Sequence, residues 1–264
     1  MLVIGERINA SRDSIVRSLE SRDLGFIQRE AVSQDRAGAD YIDVNAALFE
    51  DEEAKYLKWV IEGVQAVTDK PLCIDSPDPE TIRSVMPIVR ETPMINSITL
   101  DPNCLMHILP LVRERGAKVI GLCQSEALIA KTVDEKISLA GRLVDGVMAA
   151  GIPLENLYID PLTFPAAADP SSAVATLDAI EAIMKMFPGV HTICGLTNVS
   201  YGLPARKLVS RTFLVAAVTA GLDAVILDPT DKQLFGALKA SIMLSGGDDF
   251  CMEYIKAYRD GRLA

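Results

Sequence analysis

Eight short apolar runs recur along this chain, and an Asp, Asn or Glu stands at or just after the end of most of them. The runs cover residues 2–5, 41–44, 72–74, 94–95, 119–122, 157–159, 192–196 and 224–227. A strand of a parallel sheet is buried on both faces, so it reads in a sequence as a short continuous apolar run. Eight such runs with helix-length spacers between them predict an α/β fold, a single (β/α)8 TIM barrel.

The spacers have the periodicity of amphipathic helices. Residues 53–67 place Leu57, Val60, Ile61 and Val64 on one stripe. Other helices are predicted over residues 14–37, 79–89, 103–115, 134–150, 171–186, 205–220 and 232–243, with a last turn at 254–259. The length of 264 residues matches one barrel, so a single domain over residues 1–264 is predicted.

Charge and composition exclude several classes of partner. A net charge of −10 argues against nucleic acid and anionic lipid, because both require a basic surface. No apolar stretch approaches the roughly 18 residues of a membrane span, and the N-terminus lacks the features of a signal peptide. Five cysteines without a C-x-x-C motif indicate reduced thiols, so we expect a cytoplasmic enzyme.

Polar side chains at the ends of strands three, four, six and seven indicate where the active site lies. They are Asp75, Asn96, Asp160 and Asn198. The carboxyl ends of barrel strands meet at one rim, so these groups should converge there. Carboxylates accept paired N–H bonds and amides both donate and accept, which suits a flat heterocycle such as a pterin. The alternative is that some of these residues only cap the following helices.

Seven motifs, spread from residue 2 to about residue 255, give the chain a specific resemblance. They are IGERIN at 4–9, DVN at 43–45, LCIDS at 72–76, MINS at 94–97, YIDPL at 158–162, GLTNVS at 195–200 and RTFL at 211–214. In order and spacing they resemble the methyltetrahydrofolate:corrinoid protein methyltransferases. That family is a pterin-binding (β/α)8 barrel related to the folate module of cobalamin-dependent methionine synthase, and more distantly to dihydropteroate synthase.

The resemblance implies a role for each matching residue. Asp75, Asn96 and Asp160 correspond to contacts with the pterin ring, and Asn198 corresponds to a mobile amide that reaches N5 of the folate. Arg206 falls at the spacing of an arginine near the cofactor, and Glu6 and Ser200 would support the site. Tyr201 departs from the family pattern, which has a polar amide there. The tyrosine would either stack on the pterin or shape the face toward the corrinoid.

The implied activity is methyl transfer between N5 of tetrahydrofolate and the cobalt of a corrinoid. The N5 nitrogen must gain positive character before the methyl can leave, and a hydrogen bond between Asn198 and N5, which strengthens as the nitrogen is protonated, would stabilise the transition state. The Asp-x-His-x-x-Gly signature of corrinoid binding is absent, so the corrinoid should arrive on a separate protein. The family also implies a homodimer.

The sequence is compatible with methyl transfer in either direction. A stand-alone domain favours transfer from a methylcorrinoid protein to tetrahydrofolate in a demethylation pathway. The alternative is transfer from methyltetrahydrofolate to a corrinoid iron–sulfur protein in acetogenesis.

Other chemistries have weaker support in the sequence. No His/Cys set has zinc spacing and no Gly-x-Ser-x-Gly elbow occurs, so neither a required metal nor a serine nucleophile is predicted. A dihydropteroate-synthase-like transferase would need a Ser-x-Arg-Pro-Gly-like loop, which is missing. A non-catalytic folate-binding subunit is a further alternative, against which the intact motif around Asn198 argues.

Overall fold

The computed structural model describes residues 1–263, and eight parallel strands form its centre. The sheet runs in the order β7-β6-β5-β4-β3-β2-β1-β8. A parallel bridge between Gly195 and Ile226 joins the chain after β7 to β8, and this contact closes the barrel. The strands are β1 (Leu2–Asn9), β2 (Tyr41–Asn45), β3 (Leu72–Asp75), β4 (Met94–Ile98), β5 (Lys118–Leu122), β6 (Leu157–Asp160), β7 (His191–Thr192) and β8 (Ala224–Leu227). The predicted TIM barrel is therefore confirmed.

Helices follow each strand and cover the outside of the barrel. They are α1 (Asp13–Glu20), α2 (Leu24–Ala37), α3 (Glu53–Gln65), α4 (Pro79–Val85), α5 (Pro102–Arg115), α6 (Val133–Ala149), α7 (Ser172–Met186), α8 (Arg206–Thr219), α9 (Lys232–Leu244) and α10 (Met252–Arg259). Short 3-10 turns occupy Ala47–Glu52, Met86–Ile88, Leu154–Asn156, Leu196–Ser200 and Asp249–Cys251.

Two predicted helices are shorter than their periodicity suggested. The helix predicted over 14–37 is broken between α1 and α2, where Arg22 adopts a left-handed φ of 57°. The Asp23 side chain then caps α2 by accepting from the Phe26 amide. The helix predicted over 79–89 ends at Val85, because Pro87 follows directly and cannot donate an intrahelical bond.

Three strand boundaries also differ from the prediction. The seventh strand has only two residues, and Leu196 belongs to the 3-10 turn that carries Asn198. Strand β1 continues to Asn9 with a register shift after Gly5, so Glu6 lies within the strand and not beyond it. Strand β4 likewise continues past Asn96 to Ile98.

A layer of eight inward-facing residues fills the barrel interior. Each strand or its continuation contributes one member: Ile4, Tyr41, Cys73, Met94, Ile120, Tyr158, Ile193 and Ala224. Larger apolar clusters lie outside the barrel, between the strands and the helices. The interior is thus a packed core, and any site must lie above this layer.

No helix within residues 1–263 is both long and apolar enough to cross a lipid bilayer.

Candidate active site

A second, mostly polar layer stands directly above the apolar layer of the barrel. Side chains two residues apart on a strand share a face, so the next inward positions follow by counting. They are Glu6, Asp43, Asp75, Asn96, Leu122, Asp160, Gly195 and Ile226. Five of the eight carry a carboxyl or amide group, and all five lie toward the carboxyl ends of their strands.

Strand register brings four polar residues into one continuous row. Asn9 pairs with Asn45, Asn45 with Asp75, and Asp75 with Asn96. The Asn9 amide donates to Asp75 Oδ2 at 3.3 Å, and the Asn45 amide donates to the Asp75 carbonyl at the same distance. The row fixes Asp75 between two amides and keeps Asn96 beside it.

Burial controls the charge of the two acids on β2 and β3. Removal from water raises the pKa of Asp75 to about 6, so its carboxylate is ionised at neutral pH. Burial and the adjacent Asp75 raise the pKa of Asp43 well above its ordinary value. The Asp43 Oδ1 atom is buried and has no hydrogen-bond partner among residues 1–263.

Asp160 ends β6 on the other side of the mouth. Its side chain is almost fully buried, and its Oδ1 accepts from the Leu162 amide at 2.7 Å. Burial raises the pKa of Asp160 to about 6, while the Leu162 amide and the Lys136 charge act in the opposite direction. Two ionised, poorly hydrated carboxylates, Asp75 and Asp160, therefore face one opening as strong acceptors for N–H groups.

Asn198 lies in the 3-10 turn after β7 and is exposed. Its backbone is held by hydrogen bonds to Gly195 and from Tyr201. Within the described residues its side-chain amide has no hydrogen-bond partner, so it is available to a ligand. Gly195 lies beneath it, and a Cβ there would come 3.2 Å from Asn198 Nδ2. The small residue leaves room for the amide to turn.

Ser200 and Arg206 form a second group of predicted residues beside Asn198. The completely buried Ser200 hydroxyl accepts from Ser210 Oγ at 3.0 Å and from Arg206 Nε at 3.3 Å. Arg206 also donates to the Thr197 carbonyl at 3.2 Å, and its guanidinium lies 5.5 Å from the ring centre of Tyr201. This network ties the start of α8 to the turn that carries Asn198.

Glu6 faces a separate cavity of about 390 Å³ at the side of the mouth. Burial raises the pKa of Glu6, and Arg12, which donates to Glu6 Oε1 at 3.2 Å, opposes that effect. The cavity is lined among others by Arg12, Ser200, Arg206, Arg211 and Asp228. Asp75, Asn96 and Asp160 do not line it, so the predicted residues divide into two neighbouring groups.

Several residues near the mouth were not included in the predicted site. Asp43 and Asn45 could have been found from the two-residue period of β2, since they share the face of Tyr41. Asn9 joins the row only through the register shift in β1, which no local pattern marks. Lys136 contacts the segment after Asp160. The sequence does not reveal this contact, because the residues around Lys136 follow the pattern of an ordinary amphipathic helix.

Both histidines lie away from this rim. His107 is half-buried on α5, and His191 begins β7 at the opposite end of the barrel, paired with Asp223 at 2.5 Å. Across residues 1–263 no three His, Cys, Asp or Glu side chains are grouped so that they could hold a metal ion.

Comparisons with known proteins show which family and which fold this chain resembles. The family model described as "Pterin binding enzyme" matches residues 5–228. A methylcorrinoid:tetrahydrofolate methyltransferase of Eubacterium limosum is 33% identical over 265 aligned positions, covering 100% of this chain and 98% of the relative. A methionine synthase of Mycobacterium leprae is 28% identical over 86% of this chain, which corresponds to only 20% of that longer protein.

Solved structures show the same fold at lower identity. A dihydropteroate synthase from Coxiella burnetii in complex with pteroic acid superposes with a TM-score of 0.69 and 19% identity, covering 94% of both chains. The corresponding enzyme from Clostridium difficile gives a TM-score of 0.71 at 17% identity, covering 92% of this chain and 96% of the other. With a matching family model over most of its length and a full-length relative above 30% identity, the chain belongs to the pterin binding enzyme family.

Proposed function

We propose that this protein is a methyltransferase that moves a methyl group from a corrinoid, carried by a separate protein, to N5 of tetrahydrofolate. The observation that carries the proposal is the polar layer of Asp75, Asn96 and Asp160 above the barrel core, next to an unpartnered Asn198 amide. The full-length similarity to a methylcorrinoid:tetrahydrofolate methyltransferase supports both the substrates and the direction.

Asp75, Asn96 and Asp160 would form hydrogen bonds with the polar atoms along the edge of the pterin ring. The Asp160 carboxylate accepts from the Leu162 amide at Oδ1 and also from the Gly195 backbone, and it keeps acceptor capacity for a pterin N–H. Asp75 is similarly held by Asn9 and retains acceptor capacity. Asn96, beside Asp75 in the row, can donate to a ring nitrogen or carbonyl.

Asn198 would act at the reacting nitrogen. The lone pair of N5 attacks the methyl carbon as the cobalt–carbon bond breaks, the bond electrons remain on cobalt, and N5 then releases its proton to solvent. The Asn198 carbonyl oxygen would accept from N5–H, which leaves the lone pair free, orients it and stabilises the positive charge that N5 gains; in the reverse direction the same bond would stabilise the protonated N5. No His or ionised acid within the described residues is needed beside N5 in this scheme.

Arg206 and Ser200 would hold the loop that carries Asn198. Both groups bond to residues of that turn or to each other, so they fix its position while the exposed amide stays free. Glu6 would support this group through Arg12 at the side cavity.

The corrinoid protein would dock over the open rim. Leu48 and Tyr201, on the loops after β2 and β7, are 62% and 65% exposed, and Ile129 after β5 is 47% exposed. These apolar side chains suit a protein partner better than open solvent. A homodimer is part of the proposal, with Leu244, Phe250 and Tyr258 near the end of the chain as exposed apolar groups that would contribute. We place the protein in the cytoplasm.

The test is a methyl-transfer assay with the purified protein, methylcobalamin as the probe donor and tetrahydrofolate as acceptor. We expect loss of the methylcobalamin spectrum and stoichiometric formation of methyltetrahydrofolate. Asn198→Ala should slow that reaction while tetrahydrofolate still binds. Folate binding without transfer, both with methylcobalamin and with methylated corrinoid protein, would instead identify a non-catalytic folate-binding protein.

A further inference from the structure

A completely buried lysine lies just outside the polar layer. Lys136, in the first turn of α6, is 0% exposed. Its ammonium donates to three backbone carbonyls: Ala130 at 3.4 Å, Leu162 at 2.7 Å, and Pro161. Each of the three N–H donors of the Lys136 ammonium therefore has a carbonyl acceptor. An ammonium is unfavourable in a buried position unless it is fully hydrogen-bonded, so this arrangement constrains the segments that supply the carbonyls.

Two of those carbonyls belong to the segment that follows Asp160. Leu162 has a left-handed φ of 62°, a conformation that is unfavourable for a leucine. In this conformation its N–H donates to Asp160 Oδ1 at 2.7 Å, while its carbonyl accepts from Lys136. Both sides of Leu162 are thus fixed, one by the carboxylate and the other by the lysine.

Lys136 also sets the electrostatic surroundings of Asp160. Its positive charge lowers the pKa of the Asp160 carboxyl against the effect of burial. The other titratable neighbours of Asp160 are the thiols of Cys123, directly after β5, and Cys194, after β7. Burial raises the pKa of Cys123 to about 12 and that of Cys194 further, so both thiols are neutral. Lys136 is therefore the cation that favours an ionised Asp160.

We propose that Lys136 is a positioning residue for folate recognition: by holding the Pro161 and Leu162 carbonyls it keeps the Leu162 amide on Oδ1 of Asp160 and so orients the carboxylate for a hydrogen bond from the pterin. This inference rests on the proposed role of Asp160 in binding tetrahydrofolate. It assigns Lys136 no contact with the substrate.

A double-mutant cycle separates this role from a general effect on folding. Tetrahydrofolate affinity is measured by calorimetry for wild type, Lys136→Met, Asp160→Asn and the double variant. Loss of one charge-assisted hydrogen bond should weaken binding by about 10-fold to 100-fold in each single variant. The double variant should bind no more weakly than Asp160→Asn, because Lys136 acts through that carboxylate. A further loss of similar size in the double variant overturns the proposal.

The titration of Asp160 gives a second readout that needs no ligand. Carbon-13 NMR of labelled aspartate carboxyls follows Asp160 directly, with a wild-type pKa of about 6 expected. Removal of a nearby positive charge disfavours the carboxylate, so the pKa of Asp160 in Lys136→Met should be higher than in wild type. An unchanged pKa overturns the electrostatic part of the proposal. Asp75 also titrates near pH 6 and should not move, which distinguishes a local effect from a global one.

Two matched variants serve as controls. Lys118→Met removes a half-buried lysine at the opposite end of the barrel, where it donates to Tyr158 Oη at 2.9 Å, and should leave folate affinity unchanged. Thr176→Val removes a neutral donor, 3.4 Å from the same Leu162 carbonyl, and should change affinity less than twofold. Losses in either variant equal to that of Lys136→Met would indicate general damage and overturn the proposal.

Failure of this inference is distinguishable from failure of the proposed function. If Lys136→Met does not fold, Lys136→Gln, which removes the charge but keeps two N–H donors for the carbonyls, takes its place in the cycle and in the titration: no further loss beyond Asp160→Asn supports the proposal, and a further loss contradicts it. If the wild type binds folate without methyl transfer, the proposed function fails while the cycle stands. If the wild type binds no folate, the NMR titration still tests the link between Lys136 and Asp160, and no shift there refutes it.

Discussion

Replacement of Asp75 by asparagine should make this protein more stable at neutral pH while it weakens pterin binding. The folded state holds the Asp75 carboxyl in a buried position with the Asn9 amide as its hydrogen-bond donor, at 3.3 Å. Burial raises the pKa of Asp75 from 3.8 to about 6. The ionised carboxylate is therefore less favourable in the folded chain than in the unfolded one. An asparagine has nearly the same shape, can still accept from Asn9, and carries no charge.

The magnitude follows from linkage between the pKa and the free energy of unfolding. A carboxyl with a raised folded pKa stabilises most below its unfolded pKa, and that contribution is lost as pH rises through the folded pKa. With pKa values of 3.8 and about 6, the wild type should be less stable than Asp75→Asn by about 3 kcal/mol at pH 7.5 and by only about 1 kcal/mol at pH 4.5. For a chain of 264 residues, 3 kcal/mol corresponds to about 5 °C in Tm.

Urea denaturation of both proteins at the two pH values measures this difference directly. Asp69→Asn, at an exposed aspartate before β3, is the matched control and should show no stability change at either pH. The reasoning is refuted if Asp75→Asn is no more stable than wild type at pH 7.5. It is also refuted if the difference between the two proteins is the same at pH 4.5 as at pH 7.5, because then the charge is not its cause.

Three further predictions concern single positions. Asn198→Ala should lower the methyl-transfer rate about 100-fold and change tetrahydrofolate affinity less than threefold, in single-turnover and calorimetric measurements; equal losses in both would contradict a role at N5. Gly5→Ala should destabilise the fold by about 1–3 kcal/mol in urea denaturation, because its Cβ would lie 2.4 Å from Gln34 Oε1; an unchanged midpoint would show that Gln34 moves aside freely. Thr132→Ala removes the capping box that Thr132 forms with Glu135 and should cost about 1 kcal/mol by the same method, whereas Thr132→Ser should restore most of it.

The sequence was sufficient to predict the barrel and the location of its polar rim. Strands buried on both faces leave a clear apolar signal, and each polar strand end could be read from where that signal stopped. Asp75 and Asp160 were found in this way, and both do end their strands. The same rule misplaced Glu6, because β1 continues three residues further through a register shift that no local pattern marks.

Contacts between distant segments could not be predicted. The row from Asn9 to Asn96 depends on the register of four strands, and a shift of one residue would turn each side chain to the opposite face. Lys136 reads as one charged residue on an amphipathic helix, where lysine is ordinarily exposed. Only the packing of α6 against the segment after β6 shows that its ammonium is enclosed.

The cost of burying Asp75 and Asp160 has a direct relation to binding. Both groups lie two residues above an apolar layer, a rise of about 6.6 Å along the strand, and the lack of water there raises each pKa to about 6. Each carboxylate remains ionised at neutral pH although little solvent compensates its charge. A pterin N–H that binds such an oxygen displaces little water, and the hydrogen bond forms in a medium of low dielectric constant, where it is strong. Tighter binding gives a larger stabilisation at a given ligand concentration, so at equal tetrahydrofolate concentration the ligand should raise the Tm of wild type more than that of Asp75→Asn.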